Sequence, residues 1–591
     1  MKNQVFRHIL LTAISCSALL LSQCSKDYLD KNPLGSLSDK DMANATGVSS
    51  MLIGAYGALD GVGVGAANSW EAAPSNWIYG SVAGGDASKG SFSGDQPAID
   101  PIVNFYADAS NGFFNSKWKA CYEGVSRSNA VLRLLTQATD ISDADKANLE
   151  GQARFLRAHY YFELKKMFNM VPWIDENATV FTVPNTEDIW PNIEADFKFA
   201  YENLPNTQSD MARVNKWAAG AYLAKTYLYQ KKYQEAKPVF DAVISQGTTT
   251  NGLKYGLRPT FEDNFLPAME SVNQEAVFSI QMAAKAVPGN IDNANPGEML
   301  NFPYNSPFGC CGFYQPTQEL VNHYRTDEVG LPFLDDYNSH AVKSDQNVLS
   351  KDPFTPDEGN LDPRLDWTVG RRGIPFLDWG NHPGEAWVRD QSYGGAYAPK
   401  KNIYWKANVA TDYDNGSWAP GTAINVHIIR FADVLLMAAE VEAQLGNFSK
   451  AEEYVNIVRL RAANPANIVY KYKDDSKPEE GFSTTPAAHY VVAPYPEGYF
   501  ASKGKDGALK AIYFERKLEL AMEGHRFFDL VRWGIAEQEL NKYFAYQGKI
   551  TQDVKNGHFT TNKNEYYPIP QRQIDLSIVD GKPTLTQNPG Y

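Results

Sequence analysis

Apolar residues recur at three- and four-residue intervals through two long blocks of this 591-residue chain, and the interval is lost between them. In the first block, Met42, Val48, Leu52 and Tyr56 predict a helix over about 38–59. Residues 113–135 and 145–168 predict two long amphipathic helices joined by a polar turn, the second ending before Val171 and Pro172. Residues 223–236, continued by Phe240 and Val243, fit a tetratricopeptide unit, in which small residues let paired helices approach and aromatic rings fill the gaps. A second copy spans 436–451 and continues through Val455, Val458 and Arg461. Residues 187–204 and the helices flanking residue 140 read as degenerate copies. The two clear copies stand far apart in the chain. The pattern therefore predicts a mainly α fold: a tetratricopeptide-like helical-repeat scaffold with a large, irregular, loop-rich insertion carrying a few short strands.

Two segments break the helical pattern. Residues 61–101 are rich in glycine and serine, yet carry Trp70, Trp77, Tyr79 and Phe92. A long irregular segment in a globular chain is disordered or functional, and its aromatic content argues against disorder. The insertion, 251–425, is dense in Pro, Gly, Asn, Asp and Trp, with one strand expected over 275–281 and a short helix over 315–324. It holds a second aromatic group, Tyr304, Phe308, Phe313 and Tyr314, followed by Trp367, Trp379, Trp387, Tyr393, Tyr397, Trp405 and Trp418.

Charge and chemistry narrow the function classes. A net charge of -14 gives no basic footprint for nucleic acid. Lys2, Arg7 and His8 precede an apolar run over 9–21, so 1–23 reads as a signal peptide. Leu21-Ser-Gln-Cys24 looks like a bacterial lipobox, with Cys24 the acylated first mature residue and Cys16 a competing site. No later apolar run is long enough to cross a bilayer, so membrane attachment rests on the lipid. Cys121 is expected as a buried helical thiol. Adjacent Cys310 and Cys311 form either a vicinal disulfide or two free thiols. No cysteine spacing suits zinc.

A nucleophile elbow, a Walker loop and a His-Glu-x-x-His pair are all absent. His159 is expected to pack between helices. Aromatic rings on loops suit sugar binding, because pyranose C–H faces pack on flat rings while polar side chains bond the hydroxyls. The candidate ligand residues are Trp70, Trp77, Tyr79, Asp86, Tyr304, Phe308, Phe313, Tyr314 and Trp379. Asp86 and Lys89, within Gly84–Gly90, could supply polar contacts to the ligand or mark a loop-stabilising cation site such as structural calcium; the alternative is a turn.

Residues 512–534 predict two helices meeting at Gly524, with Glu515, Arg516, Glu519, Glu523, Arg526, Asp529 and Arg532 at helical spacing. These charges could line an active site; the expectation is that they lock a helix corner and hold the insertion against the repeats. The stretch resembles the signature of the SusD/RagB family of Bacteroidetes outer-membrane nutrient-binding lipoproteins. Ala153-Arg-Phe-Leu-Arg-Ala158, Phe313-Tyr-Gln-Pro-Thr-Gln-Glu-Leu-Val321, Asp362-Pro-Arg-Leu365, Tyr567-Pro-Ile-Pro570 and Gln587-Asn-Pro-Gly-Tyr591 extend the resemblance over 24–591. It implies one SusD-like domain in three parts, 24–250, 251–425 and 426–591. It also implies a non-enzymatic, lipid-anchored protein on the outer membrane that faces the exterior, binds oligosaccharides or polysaccharides, and needs no cofactor or metal. Its implied partner is a SusC-like TonB-dependent transporter, which it covers as a lid. The alternatives are a RagB-like lid for peptides, a surface glycoside hydrolase, and a repeat adaptor without a small ligand.

Overall fold

Each long periodic stretch forms a helix that packs on its predecessor in the chain. The structure, a computed structural model, describes residues 39–62 and 68–591. The expected signal segment and Cys24 lie outside the described residues.

The first block comprises α1 (Ala45–Gly57), α2 (Gly112–Gln137), α3 (Asp143–Phe168), α4 (Trp190–Asn203), α5 (Lys216–Tyr229) and α6 (Tyr233–Gln246). Asn111, Ser142 and Asn215 cap α2, α3 and α5 by accepting first-turn N–H groups. From α2 to α6 each helix contacts the next, as helix-pair repeats do. α5 turns Ala218, Ala219, Ala221 and Ala224 inward, and Tyr222 stacks on Phe197 of α4 at 4.6 Å. His159 is buried as expected. Its Nδ1 lies 2.8 Å from the Tyr222 hydroxyl, and burial lowers its pKa to about 4. Cys121 is a buried thiol that burial pushes up to about 12.

Short strands punctuate the rest: β1 (Ala87–Gly90), β2 (Ala276–Ile280), β3 (Phe313–Pro316), β4 (Tyr413–Asp414), β5 (Gly421–Thr422) and β6 (Val426–Arg430). β3 leads into the short helix α7 (Gln318–His323). β2 and β6 pair antiparallel, from Ala276 opposite Arg430 to Ile280 opposite Val426. The insertion thus leaves and re-enters the helical scaffold through adjacent strands. The second repeat copy, α8 (Phe431–Gln444) and α9 (Phe448–Ala462), follows directly, and α6 packs on α8. Copies distant in sequence are therefore neighbours in one array. α10 (Tyr499–Leu520) lies across α8 and α9, and α11 (Arg526–Trp533) and α12 (Ala536–Gln547) follow.

The charges of 512–534 form a buried network. Glu515 accepts from Arg364 (2.7 Å) and Arg459 (2.8 Å). Glu519 accepts from Arg364 (2.9 Å), Arg430 (2.6 Å) and Arg461. Glu523 accepts from Arg430 (2.8 Å) and Lys401 (2.6 Å). Arg516 bonds Asp433 and Asp529, and Arg532 bonds Glu440 and Asp529. The insertion contributes Arg364 and Lys401, strand β6 contributes Arg430, and the repeat helices α8 and α9 contribute Asp433, Glu440, Arg459 and Arg461, so the corner ties insertion to repeats as expected. Arg526 is the exception: its carboxylate neighbour, Glu539, is 3.9 Å away.

Candidate functional site

β1 and β3 are antiparallel, with Ala87 opposite Pro316 and Gly90 opposite Phe313. The loop leaving β1 (91–97) and the loop entering β3 (301–312) therefore emerge from the same end of one ladder. This brings together the two aromatic groups of the sequence. The Ser91 N–H donates to the Gly312 carbonyl (2.5 Å), and the Gly312 N–H to that of Phe302 (2.8 Å). Gly90 has φ +81°, and a Cβ there would stand 2.4 Å from the Gly312 oxygen, so the close approach requires glycine.

Depth separates the rings into two classes. Trp70, Trp77, Tyr79, Phe313 and Tyr314 are buried, Trp77 completely. Trp77 lies 6.3 Å from the Phe313 ring and 5.5 Å from that of Tyr314, and its Nε1 donates to the Gly297 carbonyl (3.1 Å). The Tyr79 hydroxyl lies 2.8 and 3.0 Å from the carbonyls of Glu71 and Phe113. Phe308 and the half-buried Trp379, 4.8 Å apart, belong to a satellite core with Phe302, Phe376 and Tyr404. The expectation that Trp70, Trp77, Tyr79, Phe308, Phe313 and Tyr314 form a sugar platform is corrected, for these rings are buried in protein; Trp379 is half-buried but packs into the satellite core. From residue 68 onward the Gly/Ser-rich segment folds inward, its large rings Trp70, Trp77 and Tyr79 buried.

Asp86 is interior as well. Its Oδ2 accepts from the Met522 N–H (3.2 Å), and burial raises its carboxyl to about 6 against the pull of Lys517 and Arg526. It fastens β1 to the turn between α10 and α11. At that turn Gly524 (φ +77°) donates its N–H to Ser81 Oγ (2.9 Å), and a Cβ would meet the Ser75 oxygen at 1.9 Å. The signature corner thus clasps the segment from which β1 emerges. Buried Lys89 shapes the loop beyond: its ammonium donates to the carbonyls of Phe92 (3.3 Å) and Asp95 (2.8 Å) and to Asp100 (3.3 Å).

A smaller set of rings reaches solvent. Phe92 is 37% exposed and Trp418 66%, and Tyr304 is half-buried. Arg389 organises the first pair: its guanidinium lies 4.3 Å from the Phe92 ring centre and 4.9 Å from that of Tyr304, and it donates to Ser91 Oγ (2.9 Å) and Asp95 (2.8 Å). Trp418, on the hairpin between β4 and β5, stands edge-on to Trp70 (6.2 Å), whose Nε1 donates to Gln96 (3.3 Å). Phe92, Tyr304 and Trp418 thus flank a polar stretch of Asp95, Gln96, Asn305 and Arg389. Cys310 and Cys311 are joined as a vicinal disulfide in the same 301–312 loop. Of the sequence candidates, Tyr304 alone is both in this stretch and open to solvent. Phe92 and Trp418 were visible as loop aromatics, and Asn415-Gly-Ser417 marks the tip that exposes Trp418. Arg389 has no sequence signal.

Residues 274–591 match the model of the SusD family, and residues 27–228 match one described as starch-binding associating with outer membrane. The chain is 25% identical over 517 aligned positions to the SusD-like protein P25 of Formosa agariphila, covering 83% of this chain and 84% of that one. It is 25% identical to a SusD-like protein of Bacteroides ovatus, covering 98% and 95%. The solved structure of surface glycan-binding protein A from Bacteroides thetaiotaomicron in complex with laminarihexaose has the same fold, with TM-score 0.62 and 20% identity over 92% of this chain and 99% of that chain. No helix among the described residues is long and apolar enough to cross a membrane. The chain, matched over more than half its length, belongs to the SusD/RagB family.

Proposed function

We propose that the protein is a non-enzymatic glycan-binding lipoprotein of the outer-membrane surface, anchored through Cys24. It captures oligosaccharides and passes them to a SusC-like TonB-dependent transporter, over which it sits as a lid. The observation that carries the sugar reading is the Phe92–Arg389–Tyr304 sandwich beside Trp418: rings open to solvent on loops fixed to a rigid ladder, interleaved with hydrogen-bonding side chains. Asp95, on the same surface, is engaged by Ser91 and Arg389, which suits a positioning role more than proton transfer.

Isothermal titration against a glycan panel tests this, with laminarihexaose included because a structural neighbour was solved with it. Tyr304→Ala and Trp418→Ala are each expected to weaken the bound glycan by about 1–2 kcal/mol, roughly tenfold, as for exposed aromatic anchors in other interfaces. Their melting temperatures should stay close to wild type, because neither ring is buried. Binding of peptides with no response to any glycan would overturn the sugar reading. A separate arm, Arg389→Ala, is expected to lose affinity and to loosen loop 91–97, detectable as faster hydrogen exchange there.

A further inference from the structure

A cavity of about 340 Å³ opens among α10, α11, α12 and residues 334–337, and it shares no residue with the Phe92–Tyr304–Trp418 surface. The rings of Tyr337, Tyr513 and Phe514 line it, and Lys517, Arg526 and Lys542 bring positive charge. The Arg526 side chain is nine-tenths buried, yet its Nε has no hydrogen-bond partner among the described residues. Glu539 stands 3.9 Å from the guanidinium, and Asp86 is not in ion-pair contact with it. The neighbouring signature arginines are paired far more tightly, Arg516 at 2.7 Å to Asp433 and Arg532 at 2.7 Å to Glu440. A buried donor left unmade costs about 1–3 kcal/mol.

Lys542, solvent-exposed at the cavity mouth, adds a second positive charge. Its ammonium lies 4.9 Å from the Tyr337 ring centre and 3.4 Å from the Asp335 carbonyl, with no carboxylate in ion-pair contact among the described residues. Lys517, by contrast, is satisfied by Glu319 (2.6 Å). The acidic groups facing the cavity are Glu539, Asp335, which Lys510 holds at 2.5 Å, and Asp506. A buried guanidinium with an unmade hydrogen bond, a second cation at the mouth and the half-buried Tyr513 ring, in a volume at the lower end of small-molecule sites, define a ligand with one carboxylate and an apolar face.

We propose that this cavity is a second ligand site, for a uronic acid. Its carboxylate would pair with Arg526 and Lys542, and its pyranose ring would pack against Tyr513, the one half-buried ring of the three that line the cavity. The site is independent of the glycan surface proposed above, so either can fail without the other.

Titration with glucuronate, with glucose as the uncharged control, tests the proposal on the folded full chain. Glucuronate is expected to bind, glucose to bind at least ~10-fold more weakly, and added salt to weaken glucuronate alone. Arg526→Gln should abolish the preference for glucuronate. Should that variant fold poorly, Lys542→Gln, at an exposed position, should reduce glucuronate affinity about tenfold without changing the melting temperature. Tyr304→Ala should leave glucuronate binding unchanged. Equal affinity for a disaccharide of glucuronate would assign the cavity to the free monosaccharide, and tighter binding would assign it to the end of an acidic chain. Equal binding of glucose and glucuronate, or glucuronate binding unaltered in both cation variants, would overturn the site.

Discussion

Glu519→Ala is expected to destabilise the protein by about 3–5 kcal/mol, enough to leave much of it unfolded at physiological temperature. Glu519 is fully buried and accepts from Arg364, Arg430 and Arg461, so its loss takes one carboxylate from each of three buried guanidinium groups that cannot shed their charge, leaving Asp362, Glu515, Glu523 and Glu275 to balance them. Glu519→Gln should be nearly as damaging, since an amide keeps the volume but supplies no charge. Denaturant midpoints measure both. A midpoint within experimental error of wild type would show that the network is not what holds the insertion to the repeats.

The same network sets an acid limit. Burial opposes ionisation of Glu523, but Arg430 and Lys401 outweigh it and hold its carboxyl at about 2; Glu519 is held well below the usual range by Arg461, Arg430 and Arg364. Folded carboxyls that titrate below the unfolded value of about 4.3 contribute stability that is complete above that pH. It is lost as pH falls from about 4 towards 2. Thermal melts across that window should fall steeply for wild type and less steeply for Glu519→Gln. Glu262 has the opposite sign. Burial pushes its carboxyl up to about 8, so its contribution weakens as pH rises from about 4 to 8.

The helices were legible because their apolar residues obey a local period, and the β2 strand because its short run is bounded by polar residues. Asp362-Pro-Arg-Leu365 and the 512–534 signature were both visible as motifs. That Arg364 reaches Glu515 and Glu519 was not, since nothing in the sequence marks which separated charges will meet. The same limit governed the site. Sequence singled out 61–101 and the loop around Tyr304, which the β1–β3 ladder brings together, but not the depth of each ring. Depth follows from tertiary packing: the β1–β3 pairing puts the loops bearing Phe92 and Tyr304 at one end of the ladder, while Trp77, on the preceding helical turn, is enclosed by Phe313 and Tyr314. Arg389 was missed because its role exists only between two rings from different loops.

Trp77→Ala separates support from contact and is expected to cost about 3–5 kcal/mol of stability. The ring is completely buried on a π-helical turn, against Phe313 and Tyr314, and its N–H satisfies the Gly297 carbonyl. Truncation leaves both a cavity and an unpaired carbonyl. Trp77→Phe keeps most of the apolar volume and loses the N–H, so its cost should be closer to 1–2 kcal/mol. Because Trp77 packs on Phe313 of β3, its loss should also loosen the ends of the ladder from which loops 91–97 and 301–312 emerge. Glycan affinity in Trp77→Ala should therefore fall in step with stability, and recover in Trp77→Phe. Affinity lost in Trp77→Phe while stability stays near wild type would mean that the indole touches sugar itself, and would require the loops to open and expose a ring that is now fully enclosed.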